Sequence, residues 1–339
     1  MPATFTNKHN LPESFISALK NDEHVTNGDI SVTTLIDAPQ IRMLKKTVDY
    51  EIDWMDIVPM ALGTGVHTLL ERGDIQGSQE AVILQRAAAI LEKYGSEKGS
   101  AWLLKFVEET LGEKINNDII TEQILTVEIL GWTISGTFDR FMRLLKQLQD
   151  YKTTTVNSVM YEENIKKYKT QLNVYAYMLR EEGYEVESAV VIAILKDWSK
   201  MKVKTSKSYP KTPVKMIDIP LLSHERMHKY LEARVRLHQR AEGGEHIPCT
   251  EKDRWAKKDQ WAVKKKGGKR ALPRSICDSV KGAENYIDQF KHKYKPGELE
   301  IDHRKAESFR CANGYCAMSD YCPQYKKELS DAANAAEEM

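Results

Sequence analysis

The sequence has no apolar run approaching the roughly 18 residues that a membrane-spanning helix needs. Its first residues, Met-Pro-Ala-Thr-Phe-Thr-Asn-Lys, lack the apolar stretch of a secretory signal. Both absences point to a cytoplasmic protein with no membrane partner and with reduced thiols. Cysteine is scarce, five in 339 residues and none before position 249. In a reducing compartment so few thiols read as ligands or free groups, not as a disulfide framework. No internal repeat is present. Gly63-Thr64-Gly65 lacks the third glycine of a dinucleotide loop, which removes a phosphate-binding role for that pair.

What remains is ordinary for a globular chain: 41% of residues are apolar and 29% charged, enough for one large domain or a domain with an appended lobe. The formal net charge of +1 is unevenly spread. Between Lys252 and Arg274 ten Lys/Arg face two Asp, a local +8, so the other residues sum to −7. A concentrated basic strip of this kind is the electrostatic footprint of a polyanion partner.

Along the chain, residues 1–30 form a lead-in without clear period, and a short helical turn is expected over Gln40–Leu44. Trp54–Leu70 reads as a helix opening near the glycine pair. Residues 79–111 show apolar spacings of three and four, the helical pattern. Ile119–Val127 and Ile129–Phe138 are strand-like, and Leu144–Thr155 forms a further run. Tyr161–Glu182 predicts a long helix ended by Gly183. Ala189–Leu195 is continuously apolar, as in a buried sheet centre, and Val214–Ile219 is another strand. Residues 223–241 read as helical, closed by Gly243-Gly244. The order predicts an α/β fold with a mixed central β-sheet flanked by helices. The expected division is a core over 31–245, a basic cysteine-bearing lobe over 246–325, and a helical or disordered tail over 326–339.

Asp150-Tyr151-Lys152 is the most informative tripeptide. On a strand, alternate side chains share a face, so Asp150 and Lys152 project together, roughly 6–7 Å apart. Between them they can hold a divalent cation and a water. Asp139 lies upstream, and if 129–138 pairs with 144–153 the two carboxylates converge on one ion. Mg²⁺ wants hard oxygen ligands and keeps several waters; a histidine such as His67 makes Mn²⁺ an alternative. An isolated Asp and Lys two apart more often form a weak surface pair, so the order of the pieces carries the reading.

Gly-Thr-Gly-Val-His67, Ile-Ser-Gly-Thr-Phe-Asp139, Asp150-Tyr151-Lys152-Thr and Gln171 followed by Tyr175, in this order, resemble the PD-(D/E)xK nuclease superfamily. Within it the resemblance is nearest to the RecB-like exonuclease branch, which includes phage nucleases and the iron–sulfur exonucleases of CRISPR adaptation. It covers about Ser31 to Cys322 and implies a restriction-endonuclease-like core. It also implies metal binding by His67, Asp139, Asp150 and the Tyr151 carbonyl. Lys152 becomes the catalytic lysine and Glu122 the additional acid. Gln171 and Tyr175, four apart on one helix face, would meet DNA and position the lysine.

Cys311, Cys316 and Cys322 lie within twelve residues, one thiol short of a four-cysteine site that Cys249 or Cys277 must complete. Cys249 follows a proline at a turn, and its setting resembles a recurrent segment of the phage nucleases. Four cysteines suit either a [4Fe–4S] cluster or Zn²⁺. The wide gap before the last three, the Cys-Pro end and the related exonucleases favour iron–sulfur. In those relatives, however, the first ligand usually precedes the core, and here none does. Such a centre would pin a polar lobe together.

In the basic strip, Lys252, Arg254, Lys257, Lys258, Lys264, Lys265, Lys266, Lys269 and Arg270 would meet phosphates, with Trp255 and Trp261 available to stack on unpaired bases. The function expected is a metal-dependent deoxyribonuclease, an exonuclease at single- or double-stranded DNA ends in recombination, repair or phage DNA processing. A partner such as a helicase or an annealing protein is compatible with that role, and the residues give no direct sign of one. A structure-specific endonuclease with the same site, or a non-catalytic DNA-binding subunit on the same fold, are the alternatives.

Overall fold

The computed structural model describes residues 3–20, 27–70, 119–160 and 162–337. The helix expected over 79–111 lies outside the described residues. The chain divides into two compact units, a larger one of residues 5–36 and 51–243 and a smaller one of residues 1–4, 37–50 and 244–339.

The strands of the larger unit's two main sheets are β1 (Ile30–Ser31), β2 (Ile119–Thr121), β3 (Ile124–Ile129), β4 (Trp132–Thr137), β5 (Arg140–Met142), β6 (Gln147–Thr154), β7 (Ser188–Leu195) and β8 (Val214–Ile219). Its principal helices are α1 (residues 54–70), α2 (Glu162–Glu181) and α3 (His224–Glu242). A five-stranded sheet has the order β8-β7-β6-β5-β2, and a three-stranded sheet the order β1-β4-β3. The architecture is mixed α/β: β6 and β7 run parallel, whereas β7–β8, β5–β6 and β2–β5 are antiparallel.

The sequence explains these choices. Ser188-Ala-Val-Val-Ile-Ala-Ile-Leu195 is almost wholly apolar, as a strand covered on both faces must be. Parallel neighbours need a crossover, and α2 supplies it. Leu172 and every residue from Val174 to Leu179 in α2 are buried, so the helix forms the centre of the core. Ser223 caps α3 by accepting the Arg226 N–H.

Two expectations are corrected. The segments 129–138 and 144–153 do not pair. β4 is bonded to β3 and β1, and the short β5 lies beside β6. The chain leaves one sheet after Thr137 and enters the other at Arg140, so Asp139 sits at the crossing. The glycine pair does not open α1, because the helix passes through Gly63 and Gly65. An exposed helical glycine costs only about 1 kcal/mol, and nothing lies within 4 Å of the place either Cβ would take.

The smaller unit holds a three-stranded antiparallel sheet, in the order β10-β9-β11, of β9 (Gln260–Lys265), β10 (Ala271–Cys277) and β11 (Leu299–Arg304). Helices α4 (Val280–Phe290) and α5 (Pro323–Glu337) follow β10 and close the unit's chain, and a further helix spans Pro39–Thr47. Its buried apolar residues are few and mostly small: Ala38, Ala262, Val263, Ala283 and Met318 among the described residues, beside Cys316 and Cys322. No described helix is long and apolar enough to cross a membrane.

Candidate active site

Asp150 and Lys152 lie on β6, the central strand of the five-stranded sheet, opposite Val191 and Ala193 of β7. Lys152 Nζ donates to Asp150 Oδ1 at 2.9 Å and stands 2.8 Å from Oδ2, where the angle does not make a second hydrogen bond. Acid and amine therefore pair directly with each other. Burial pushes the Asp150 carboxyl up to about 6, against the pull of Lys152 and with a further push from Asp139. Burial works to lower the Lys152 ammonium, but the charges of Asp150 and Asp139 together raise it, so it stays protonated. The Lys152 ammonium also lies 5.9 Å from the Tyr168 ring centroid.

Asp139 is fixed by its neighbour on β6: its Oδ2 accepts the Tyr151 N–H at 2.6 Å. Its Oδ1 lies 3.7 Å from Nδ1 of His67, which α1 supplies. The other imidazole nitrogen, Nε2, is 3.0 Å from the Tyr151 carbonyl oxygen. Glu122 stands after β2 in a left-handed conformation with φ of 48°, its N–H bonded to the Asp139 carbonyl. That turn brings Glu122 Oε1 to 3.9 Å from His67 Nδ1. His67, Glu122 and Asp139 thus offer one nitrogen and two carboxylates whose ligand atoms lie within 4.8 Å of one another. Asp150, expected in this set, is turned to Lys152, and Glu122, expected beside it, is in the set.

Gln171 and Tyr175 come together on α2, with the Gln171 amide 3.4 Å from the Tyr175 hydroxyl. Burial pushes the Tyr175 phenol up to about 12. Two contributors were not singled out in the sequence. Tyr168 is one, although 168, 171 and 175 share a helical face and that spacing was available. Gly136 is the other: a Cβ there would come within 2.7 Å of both Tyr175 Cε1 and Val32 Cγ2. Only glycine lets the tyrosine lie this close to β4, and a lone glycine in a strand gives that away.

A sequence model of the PD-(D/E)XK nuclease superfamily matches residues 48–323. The chain belongs to that superfamily. Asp150-Tyr151-Lys152 has the form of the D/E-X-K in that name. Membership makes the protein a nuclease by class, a hydrolase of phosphodiester bonds that uses a divalent metal. No curated protein matches the chain. Two solved structures resemble it at low similarity. SSO0001 is 14% identical, with a TM-score of 0.36 over 66% of this chain and 84% of that one. A Eubacterium rectale protein whose name proposes an exonuclease is 13% identical, with a TM-score of 0.36 over 71% of this chain and 89% of that one. At these scores the assignment rests on the sequence model alone.

In the smaller unit of this PD-(D/E)XK protein, Cys249, Cys311, Cys316 and Cys322 line one cavity with Gln40, Arg254, Met318 and Gln324. The Gln40 amide donates to Cys322 Sγ at 3.2 Å, and the Cys249 N–H bonds Gln324 Oε1 at 2.9 Å. Burial, then nearby Asp253, Cys322 and Cys316, push the Cys249 thiol up to about 12; burial and the neighbouring cysteines push Cys311 to about 11. Cys277 lies apart on β10, its Sγ 3.8 Å from the Ser275 carbonyl.

The basic strip is less uniformly basic than its sequence. Lys264 pairs with Asp302 at 3.2 Å and Glu300 at 3.5 Å, Lys265 with Glu298 at 3.0 Å and Lys257 with Glu307 at 3.3 Å. Arg254 is turned into the unit, bonded to Ser308 and Glu328 at 2.7 Å each. Trp261 stacks on His303 at 4.8 Å, and exposed Trp255 leans on Tyr315 at 5.3 Å. Lys252 and Lys258 are exposed on the chain leading into β9. Lys266, Lys269 and Arg270 are exposed at the β9–β10 hairpin, around Gly267 with φ of 74°.

Proposed function

We propose that this nuclease is a deoxyribonuclease that digests DNA from its ends, as in the RecB-like exonuclease branch. The observation that carries the reading is the meeting of His67, Glu122 and Asp139 beside a buried Asp150–Lys152 pair. One nitrogen and two carboxylates suit Mg²⁺ or Mn²⁺, and the Asp150 carboxylate, ion-paired to Lys152 two residues along the strand, would join them by turning from the lysine. A divalent ion held there would lower the pKa of a bound water and offset charge on the phosphate. Lys152, held protonated by two carboxylates, would stabilise the negative charge that develops at phosphorus. Gln171 and Tyr175 would hold the lysine and the strand in place. The motif order, with Gln171 and Tyr175 spaced on one helix, supports the exonuclease branch.

Linear duplex with Mg²⁺ or Mn²⁺ tests this reading. The wild type should degrade it, spare a closed circle, and lose on the order of 10²-fold or more of its rate as Lys152→Ala. Equal rates for the two proteins would defeat the mechanism, and digestion of the circle would favour an endonuclease. A [4Fe–4S] cluster held by Cys249, Cys311, Cys316 and Cys322 is proposed for the smaller unit. Four cysteines around one cavity could supply as thiolates the ligands such a group needs, and its contribution would be to cross-link segments that a small core holds poorly. Anaerobically purified protein should be brown; colourless protein with stoichiometric zinc would assign Zn²⁺ instead.

A further inference from the structure

Away from the active site, α3 opens with His224-Glu225-Arg226-Met227-His228. Two histidines four apart lie on one helix face, a spacing that holds zinc when it is found on a helix. Spacing alone makes no site, and here the structure adds three observations. Tyr177 of α2 is buried and serves both imidazoles: its ring stacks on His224 at 4.6 Å, and its hydroxyl bonds His228 Nδ1 at 2.8 Å. With Nδ1 engaged, His228 is left to coordinate through Nε2, as a metal-bound histidine does when its other nitrogen is held. Each Nε2 also faces a carboxylate. His224 Nε2 contacts Glu181 at the end of α2, and His228 Nε2 is 3.9 Å from Glu232 Oε1.

We propose that His224, His228 and Glu181, with Glu232 as an alternate carboxylate, form a second metal site that takes Zn²⁺ or a similar transition ion. Imidazole donors select such ions over Mg²⁺. The donors stand as two separate His–Glu pairs at the junction of α2 and α3, and a bound ion would have to draw them together by side-chain rotation. The site links the C-terminal end of α2 to the N-terminal end of α3. Glu225, which in zinc peptidases of this spacing acts as base, is highly exposed and paired with Lys229 at 2.6 Å. The site is therefore a structural clamp and not a peptidase centre.

Zinc stoichiometry measures it, in cluster-loaded full-length protein carrying Asp139→Ala so that the nuclease site does not compete. One equivalent should bind and raise the melting temperature. The pair His224→Gln with His228→Gln should lose that equivalent, and Glu225→Gln should keep it. Tyr177→Phe, which removes only the orienting hydroxyl, should weaken binding about tenfold. Mg²⁺ at the same concentration should give no shift. Zinc bound equally by the double-histidine variant would overturn the site, and so would failure of the parent protein to bind it. A Tyr177→Phe protein of unchanged affinity would overturn the orienting role. None of these readouts depends on nuclease activity.

Discussion

Burial of Asp150 predicts one pH-dependent contribution to the stability of the metal-free protein. Its carboxyl is raised from 3.8 to about 6 by burial, with Lys152 opposing and Asp139 adding to the rise. A folded-state value above the unfolded one means that the group's contribution to stability is fully present below about pH 4 and lost as pH rises through about 6. Across that window the loss amounts to about 3 kcal/mol at most. Chelated protein should therefore show a melting temperature that falls between these two pH values. Asp150→Asn should lack that limb, and Mg²⁺ or Mn²⁺ should offset it by favouring the charged carboxylate. A limb that persists in Asp150→Asn would assign it to other groups. These residues were legible because their chemistry is local: Asp150 and Lys152 share a strand, and alternation alone puts them on one face. Their mutual bond was not legible, because a strand pattern gives the face but not the reach of a lysine.

At the scale of elements, the five-stranded sheet fixes Asp150 and Lys152, while a crossing between sheets fixes Asp139. Helix α2 presses Tyr175 against β4 at Gly136. Gly136→Ala should cost about 1–3 kcal/mol in denaturant unfolding, as overpacking does, and should lower activity by moving Tyr175. A variant as stable and active as the parent would show that the tyrosine has room to retreat. The long helices and apolar strands could be read from period and composition. The pairing of β6 with β5 rather than β4 could not, because both candidates are near in sequence and the deciding contact, β1 on β4, comes from residues a hundred positions away. The smaller unit's sheet was hidden by its composition: β9 and β11 carry Lys and Glu because they face each other, Lys264 opposite Glu300. A charged strand reads as a loop until its partner is known. Those pairs leave Lys266, Lys269 and Arg270 at the hairpin as the expected phosphate contacts. Replacing all three with Ala should flatten the slope of log affinity against log salt on duplex DNA by about 2–3, whereas Lys264→Ala should barely change it. Equal slopes in the two variants would place the DNA elsewhere.

At the scale of the molecule, the two units hold together in different ways. The larger has a continuous core running from Ile30 to Val235. The smaller buries little apolar surface, and its interior is built from polar fastenings: Arg310 holds Asp37 through two 2.8 Å bonds, and Arg254 holds Ser308 and Glu328. Four cysteines lining one cavity of such a unit add little as free thiols, which pack as small apolar groups, and would add cohesion as ligands. The two units should therefore respond differently to loss of the cluster proposed for the smaller one. Calorimetry of anaerobic protein should show the smaller unit's transition fall by ten degrees or more after oxidative cluster loss, on the order of what several kcal/mol produces in a domain of about 100 residues. The larger unit's transition should stay in place. Cys322→Ser should reproduce the effect and Cys277→Ser should not, since Cys277 lies apart from the cavity. A Cys277→Ser protein that loses its colour, or a Cys322→Ser protein that keeps it, would show that the fourth ligand had been chosen wrongly, and the smaller unit would then need another source of cohesion.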